Sequence, residues 1–290
     1  MKLGRLGVWS AALRTLEPAA AASAAAELEG LGYTALWFPG GSRQGFAQQV
    51  SAMLQATQRV AVASGIVSIW THPAADVTAD FWRFEARHHD RFLLGLGISH
   101  QHVVERAGLE YRQPLARLRS YLAELDAQPQ PVPPERRVLA SLGPKSLHLA
   151  REHAWGTHPY FVPVAHTRLA REALGPNKLV APELMVVLDN DATTARAIAR
   201  EHMATYLAAP NYATTLLRLG YSTQDLGHGG SDRIVDDIVA WGDPERILER
   251  VQEHQRAGAD HVCVQVLNSD RRAPALDEWR RLAQTFFGAY

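Results

Sequence analysis

Residues 27–38 read ELEGLGYTALWF: the polar-studded end of a helix, a glycine, a short polar step and then an unbroken apolar run. Glycine suits the left-handed position past a helix C-terminus, and a continuous apolar run suits a strand buried on both faces. The same joint returns in REHAWGTHPYFV (151–162) and EHQRAGADHVCVQVL (253–267), so the chain repeats a helix-to-parallel-strand unit. Eight apolar runs are predicted as strands, at 6–9, 35–38, 60–69, 92–98, 137–141, 158–162, 183–188 and 261–267. Helical spacing fills 18–30, 44–57, 73–88, 114–126, 144–154, 166–173 and 191–208, and a closing helix covers 275–287. Eight alternating units in 290 residues predict an α/β chain folded as one (β/α)8 TIM barrel domain over 1–290. A doubly wound dinucleotide fold would carry G-x-G-x-x-G after the first strand, and LGVWSAALR does not.

Two stretches break the rhythm. The proline-rich QPQPVPPERR (128–137) reads as a connector ahead of the fifth strand. The segment 209–242 reads as a helical insertion between units seven and eight, with loop-forming glycines at 227, 229 and 230. Such an addition is a candidate lid or subunit contact. WGDPERILERV then restarts a helix, with Asp243 as N-cap and Pro244 in its first turn.

Lys+Arg and Asp+Glu both number 30, so the formal net charge is zero. That balance speaks against a nucleic-acid groove or a membrane-surface patch, and it makes any anion site local. Cys263 is the sole cysteine, which excludes an intrachain disulfide, and its place inside HVCVQVL predicts a buried structural thiol. The alanine-rich run 18–26 ends in the acidic ELE and reads as a soluble helix rather than a secretory leader. No run approaches the ~18 apolar residues of a membrane span. The expectation is a soluble cytoplasmic protein acting on a small-molecule substrate.

Barrel enzymes build their sites at the C-terminal ends of the strands. The third strand is followed by Ser68, Trp70 and His72, and the fourth by Ser99, His100 and His102. The sixth carries His158 and Tyr160. After the fifth, LGPKS (142–146) opens a helix with Pro144 at its first position. A helix start presents unpartnered N–H groups, so Gly143, Lys145 and Ser146 are a candidate anion site. His100-x-His102 has the spacing of a metal pair, but no further His and carboxylate set appears at other strand ends, and no metal is expected. Neither G-x-S-x-G nor paired carboxylates at strand ends are found, which argues against a serine hydrolase or a glycosidase. A site with few acids, several His and aromatic residues and one anion hook suits an aromatic cofactor that carries a phosphate.

VASGIVSIWTHPAADVTADFWRFEARHHDRFLLGLGISH (62–100) resembles the third-to-fourth-strand block of the luciferase-like flavin and deazaflavin oxidoreductases. SLGPKSLHLAREHAWGTHPYFV (141–162) resembles the block whose G-P-x-x-L-x-L-A opens a helix beside the cofactor phosphate. GSDRIVDDIVAWGDPERILERVQEHQRAGADHVCVQVL (230–267) is similar to the C-terminal block of the coenzyme F420-dependent branch. The resemblance implies a barrel of the bacterial luciferase-like type that transfers a hydride between coenzyme F420 and a small organic substrate. FMN, with a monooxygenase activity, is the alternative cofactor, and a cofactor-free, non-catalytic homologue is a third reading.

The resemblance also implies a non-prolyl cis peptide near Val67–Ser68. Val67, Ser68, Trp70, Gly97 and Ser99 would lie about the ring, Gly143, Lys145 and Ser146 at the phosphate, and His158 and Tyr160 nearby. Relatives are often dimers, which implies a homodimer. Where the family commonly has an acidic or histidine residue after strand two, this chain has FPGGS (38–42). The catalytic role then falls first to His100 and second to His72.

Overall fold

The computed structural model describes residues 1–268 and 274–288. Eleven strands occur among them. They are β1 (Leu6–Trp9), β2 (Ala35–Phe38), β3 (Ala61–Ser64), β4 (Val67–Ser68), β5 (Phe92–Gly97), β6 (Arg137–Leu139), β7 (Gly156–Thr157), β8 (Leu179–Val180), β9 (Glu183–Val187), β10 (Val239–Trp241) and β11 (Val262–Val266). The order is β10-β9-β11-β1-β2-β3-β5-β6-β7-β8, with β4 beside β5, and every pairing is parallel. Leu179 lies opposite Gly156 while Glu183 lies opposite Cys263, so the single stretch 179–187 serves both ends of the ladder. The parallel sheet thus curls round in the manner expected of a barrel, with helices outside.

Strand alternation sorts the core. In β2, Leu36 and Phe38 face the outer helices, while Ala35 and Trp37 join Ala61, Ala63, Leu93 and Val138 in the interior cluster. Alanines on neighbouring strands leave room for the large Trp37 indole, which is wholly buried. Outside, the Pro18–Gly30 helix buries Ala21, Ala24, Ala25 and Leu28, and the Phe46–Ala56 helix buries Val50, Met53 and Leu54. Each large aliphatic side chain so buried contributes roughly 1.5–3 kcal/mol. Cys263 is buried in the interior cluster, as the strand pattern predicts.

The departures from the sequence-based expectation have local causes. The third strand is interrupted after Ser64 by a cis Gly65–Ile66 peptide, so 61–64 and 67–68 pair separately. The cis bond therefore lies two residues before the expected Val67–Ser68 position. The sixth strand is 156–157 rather than 158–162, and His158 to Tyr160 form the loop beyond its end. Leu179–Val180 and Val239–Trp241 are strands that the apolar count missed, because each is too short to show alternation. Within 209–242 stand three helices, Pro210–Arg218, Thr223–Leu226 and Asp232–Ile238, before β10. The Gln101–Arg106 helix was also not expected. Asp243 caps the Pro244–Arg256 helix through the Arg246 N–H, as read from sequence. Among the described residues no helix is long and apolar enough to cross a membrane.

Candidate functional site

A cavity of about 1250 Å³ opens at the C-terminal ends of the strands. Its floor and one wall are largely backbone. Gly65, Ile66 and Ser68 from the third-strand region and Gly97, Ile98 and Ser99 after β5 line it. Gly95 continues the ladder across the break: its N–H donates to Ser64 Oγ at 2.8 Å, and that hydroxyl donates to the Gly95 carbonyl at 3.0 Å. Beneath Gly65 lie two buried polar atoms without partners, Trp9 Nε1 and His158 Nε2. A Cβ at Gly65 would stand 2.6 Å from the first and 2.9 Å from the second. His158 Nδ1 sits 2.8 Å from the Ala181 carbonyl, and its ring stacks on Trp37 at 4.3 Å. Burial pushes its pKa down to about 4, so the imidazole is neutral at pH 7.

The FPGGS loop has a packing explanation. The Gly40 N–H donates to the Ile66 carbonyl at 3.1 Å, and a Cβ at Gly40 would meet Ile66 O and the Val67 Cα, each at 2.9 Å. Any side chain there collides with backbone, so Gly40 leaves no room for an acid or a histidine. The half-buried Arg14 holds the loop in shape, donating to the carbonyls of Gly40, Ser42 and Gln44 at 3.0, 2.9 and 2.7 Å.

The opposite wall is made of titratable side chains. Tyr160, Tyr206, Tyr212 and His100 line the cavity. The Tyr160 hydroxyl lies 3.2 Å from His202 Nε2 and donates to Tyr206 Oη at 3.2 Å or Gln265 Oε1 at 2.9 Å. Behind it the buried Glu183 accepts from the Phe161 N–H at 3.1 Å. Desolvation raises the Glu183 pKa to about 8. Burial, with help from Tyr206 and Glu183, holds the Tyr160 phenol well above its ordinary value. His100 is pushed down by burial and then by His102, which stacks on it at 5.7 Å.

The third corner is cationic. The Pro144–His153 helix begins after β6 with Gly143 as its N-cap. The N–H groups of Gly143 and Lys145 meet no acceptor among the described residues, whereas the Ser146 N–H and hydroxyl both donate to the Gly143 carbonyl, at 3.1 and 2.9 Å. Ser146 is therefore spent on the turn, which corrects the expectation that its N–H stays free. Arg218, from the Pro210–Arg218 helix, brings Nη1 to 3.3 Å from where a Cβ of Gly143 would stand. Among the described lining residues, Arg43, Arg106, Lys145 and Arg218 are cations and none is Asp or Glu.

The structure brings Ser68, Gly97, Ser99, His100, Gly143, Lys145, Ser146, His158 and Tyr160 to one cavity. Val67 is fully buried behind the wall, where its Cα backs Gly40. Trp70 turns away: its Nε1 donates to the Ile98 carbonyl at 2.8 Å, and its ring borders a separate hollow of about 490 Å³. His72 also lies off the cavity, buried against Phe46, with Nδ1 3.0 Å from Thr71 Oγ1. Burial pushes its pKa down to about 4. Sequence reasoning missed Trp9, which the strand-end rule could have found, and Tyr206, Tyr212 and Arg218, for which no local signal exists. At the opposite end of the barrel Glu85, His89 and Asp90 lie within ligand distance of one another, and Arg136 pairs with both carboxylates.

Residues 5–127 and 120–261 match the family model described as luciferase-like monooxygenase. No curated protein matches the sequence. Among solved structures the fold is similar to a coenzyme F420-dependent tetrahydromethanopterin reductase from Methanopyrus kandleri, with 14% identity, 97% of each chain covered and a TM-score of 0.75. It is similar also to an F420-dependent secondary alcohol dehydrogenase in complex with an F420-acetone adduct, at 15% identity, 98% of each chain and a TM-score of 0.71. The oxygenating constituent of 3,6-diketocamphane monooxygenase from Pseudomonas putida, in complex with FMN, shares 12% identity over 97% of this chain and 96% of its own, with a TM-score of 0.65. These likenesses carry the fold. The family model spans far more than half of the sequence, and the chain belongs to the luciferase-like monooxygenase family.

Proposed function

We propose that the protein is a coenzyme F420-dependent oxidoreductase that acts on a small organic substrate, with 209–242 as a helical insertion closing the cavity. The observation that carries this reading is the cationic, carboxylate-free lining around the Gly143 helix start, to which Arg218 adds a charge from a distant segment. Both F420 and FMN bring a flat ring and a phosphate. F420 continues beyond its phosphate into a glutamyl tail, and a lining with Arg106, Lys145 and Arg218, besides an Arg43 that is paired with Asp76, suits the longer, more anionic ligand. When bound, the deazaflavin supplies or accepts a hydride. The chain's own part is to seat the ring against Gly65–Ile66 and Gly97–Ser99, to meet the phosphate with the N–H groups of Gly143 and Lys145, and to exclude water with Tyr206 and Tyr212.

The FMN reading, a monooxygenase, is the alternative, because the ring seat and helix start serve either cofactor. Titrating the purified protein with F420 and FMN separately, and following the fluorescence of each, decides between them. F420 should bind at micromolar concentration and at least about tenfold more tightly than FMN, a difference of about 1.4 kcal/mol. Undetectable F420 binding at tens of micromolar would sink the proposal, and preference for FMN would replace it with the monooxygenase reading.

A further inference from the structure

After β2, Gly40 is closed to side chains by the Ile66–Val67 backbone, yet the opposite cavity wall holds a connected set of proton donors and acceptors. Tyr160 lines the cavity, its hydroxyl lies 3.2 Å from His202 Nε2, and His202 is partly exposed on the Ala192–Leu207 helix. We propose that Tyr160 is the catalytic proton donor and acceptor of this site, and that His202, acting through it, links the cavity to solvent. This rests on the oxidoreductase reading, in which a substrate oxygen gains or loses one proton per turnover.

The step balances without any change of electron ownership. In the reductive direction the Tyr160 Oη–H bond breaks as a substrate O–H bond forms. Oη then takes a proton from His202 Nε2, and His202 is reloaded from solvent. The reverse sequence serves oxidation of an alcohol. The surroundings suit a donor that stays protonated until it is needed: Tyr206, Tyr212 and the buried Glu183 face the phenol, Trp9 packs on it at 5.2 Å, and Gln265 Oε1 fixes its orientation at 2.9 Å. His100 contacts Tyr206 and Tyr212 from the β5 side, at ring distances of 6.1 and 5.6 Å, and borders the same compartment. The substrate class is accordingly an alcohol or carbonyl compound with an apolar body that fits among tyrosine rings.

The test needs neither substrate nor cofactor. In protein labelled with 13C at tyrosine Cζ and dissolved in mixed light and heavy water, the carbon signal reports how fast each hydroxyl proton exchanges. Tyr160 should exchange rapidly, with a rate that rises with pH along the NMR titration of His202. His202→Gln should slow that exchange by about a hundredfold, the scale of a positioned general base. A Tyr160 exchange rate indifferent to the His202 titration in the unaltered protein overturns the proposal even if the variant does not fold. Equal rates with and without His202 in a folded variant do the same. Since the readout is made without cofactor, absence of F420 binding would defeat the F420 reading while leaving the Tyr160–His202 link decided on its own result.

Discussion

The two walls of the cavity are built by different means. The wall from β2 to β5 is backbone: Gly40 lies on Ile66 and Val67, Gly65 lies on the Trp9 and His158 rings, and a serine hydroxyl completes the ladder at Gly95. The wall from β7 to the Pro210–Arg218 helix is a mesh of tyrosines, histidines and one buried acid. A backbone wall sets shape and tolerates almost no added atoms. A side-chain wall sets chemistry, and its stability changes with pH.

The largest expected difference between them is in that pH response. Glu183 has a folded-state pKa of about 8, above its ordinary 4.5, so the folded protein holds this proton more tightly than the unfolded chain. Its contribution is complete below about pH 4.5 and is lost as pH rises toward 8, with a slope of up to about 1.4 kcal/mol per pH unit. Denaturant melts across that window should show Glu183→Gln gaining several kcal/mol on the wild type between its ends. Parallel curves would contradict the buried, protonated acid. The barrel interior behaves oppositely. His158 and His261 are held near 4, below their ordinary 6.5, so their contribution is complete above about 6.5 and is lost as pH falls toward 4.

The backbone wall should be intolerant at any pH. Gly40→Asp, which places an acid after β2, should lower stability by about 3 kcal/mol through collision with Ile66 O and Val67 Cα. A well-folded Gly40→Asp protein would show that this wall can yield. Arg14→Ala leaves three loop carbonyls without their donor and should cost about 1–2 kcal/mol, with weaker F420 binding because Gly41, Ser42 and Arg43 line the cavity. A denaturant melt of that variant checks the first part and calorimetric titration with F420 the second. Ser146→Ala is expected to do least, less than about 1 kcal/mol in stability and under threefold in affinity, since its hydroxyl serves the Gly143 carbonyl. A large loss of affinity there would return Ser146 to the phosphate.

Much of the backbone wall was legible in the sequence. The helix-glycine-strand joints fix the unit, the strand ends name Ser68, Gly97 and Ser99, and Gly143-Pro144 announces a helix start. The side-chain wall was legible only at Tyr160 and His100. Tyr206, Tyr212, His202 and Arg218 sit on helices that follow the strand Glu183–Val187, and only tertiary packing carries them over the cavity. His72 and Trp70 were misplaced relative to the cavity for a related reason: the chain turns after β4, and both side chains follow the turn outward. The glycines of FPGGS are explained by a backbone contact that no sequence pattern records.

The proposed function requires an F420-type anion to be held where the Gly143 helix start meets Arg218. Equilibrium titration of F420 into Lys145→Glu/Arg218→Glu protein, with thermal melting as the control for folding, tests it most directly. The double variant should keep a melting temperature close to wild type and lose F420 binding by at least about a hundredfold, near 2.7 kcal/mol. Unchanged affinity in the folded double variant would contradict it.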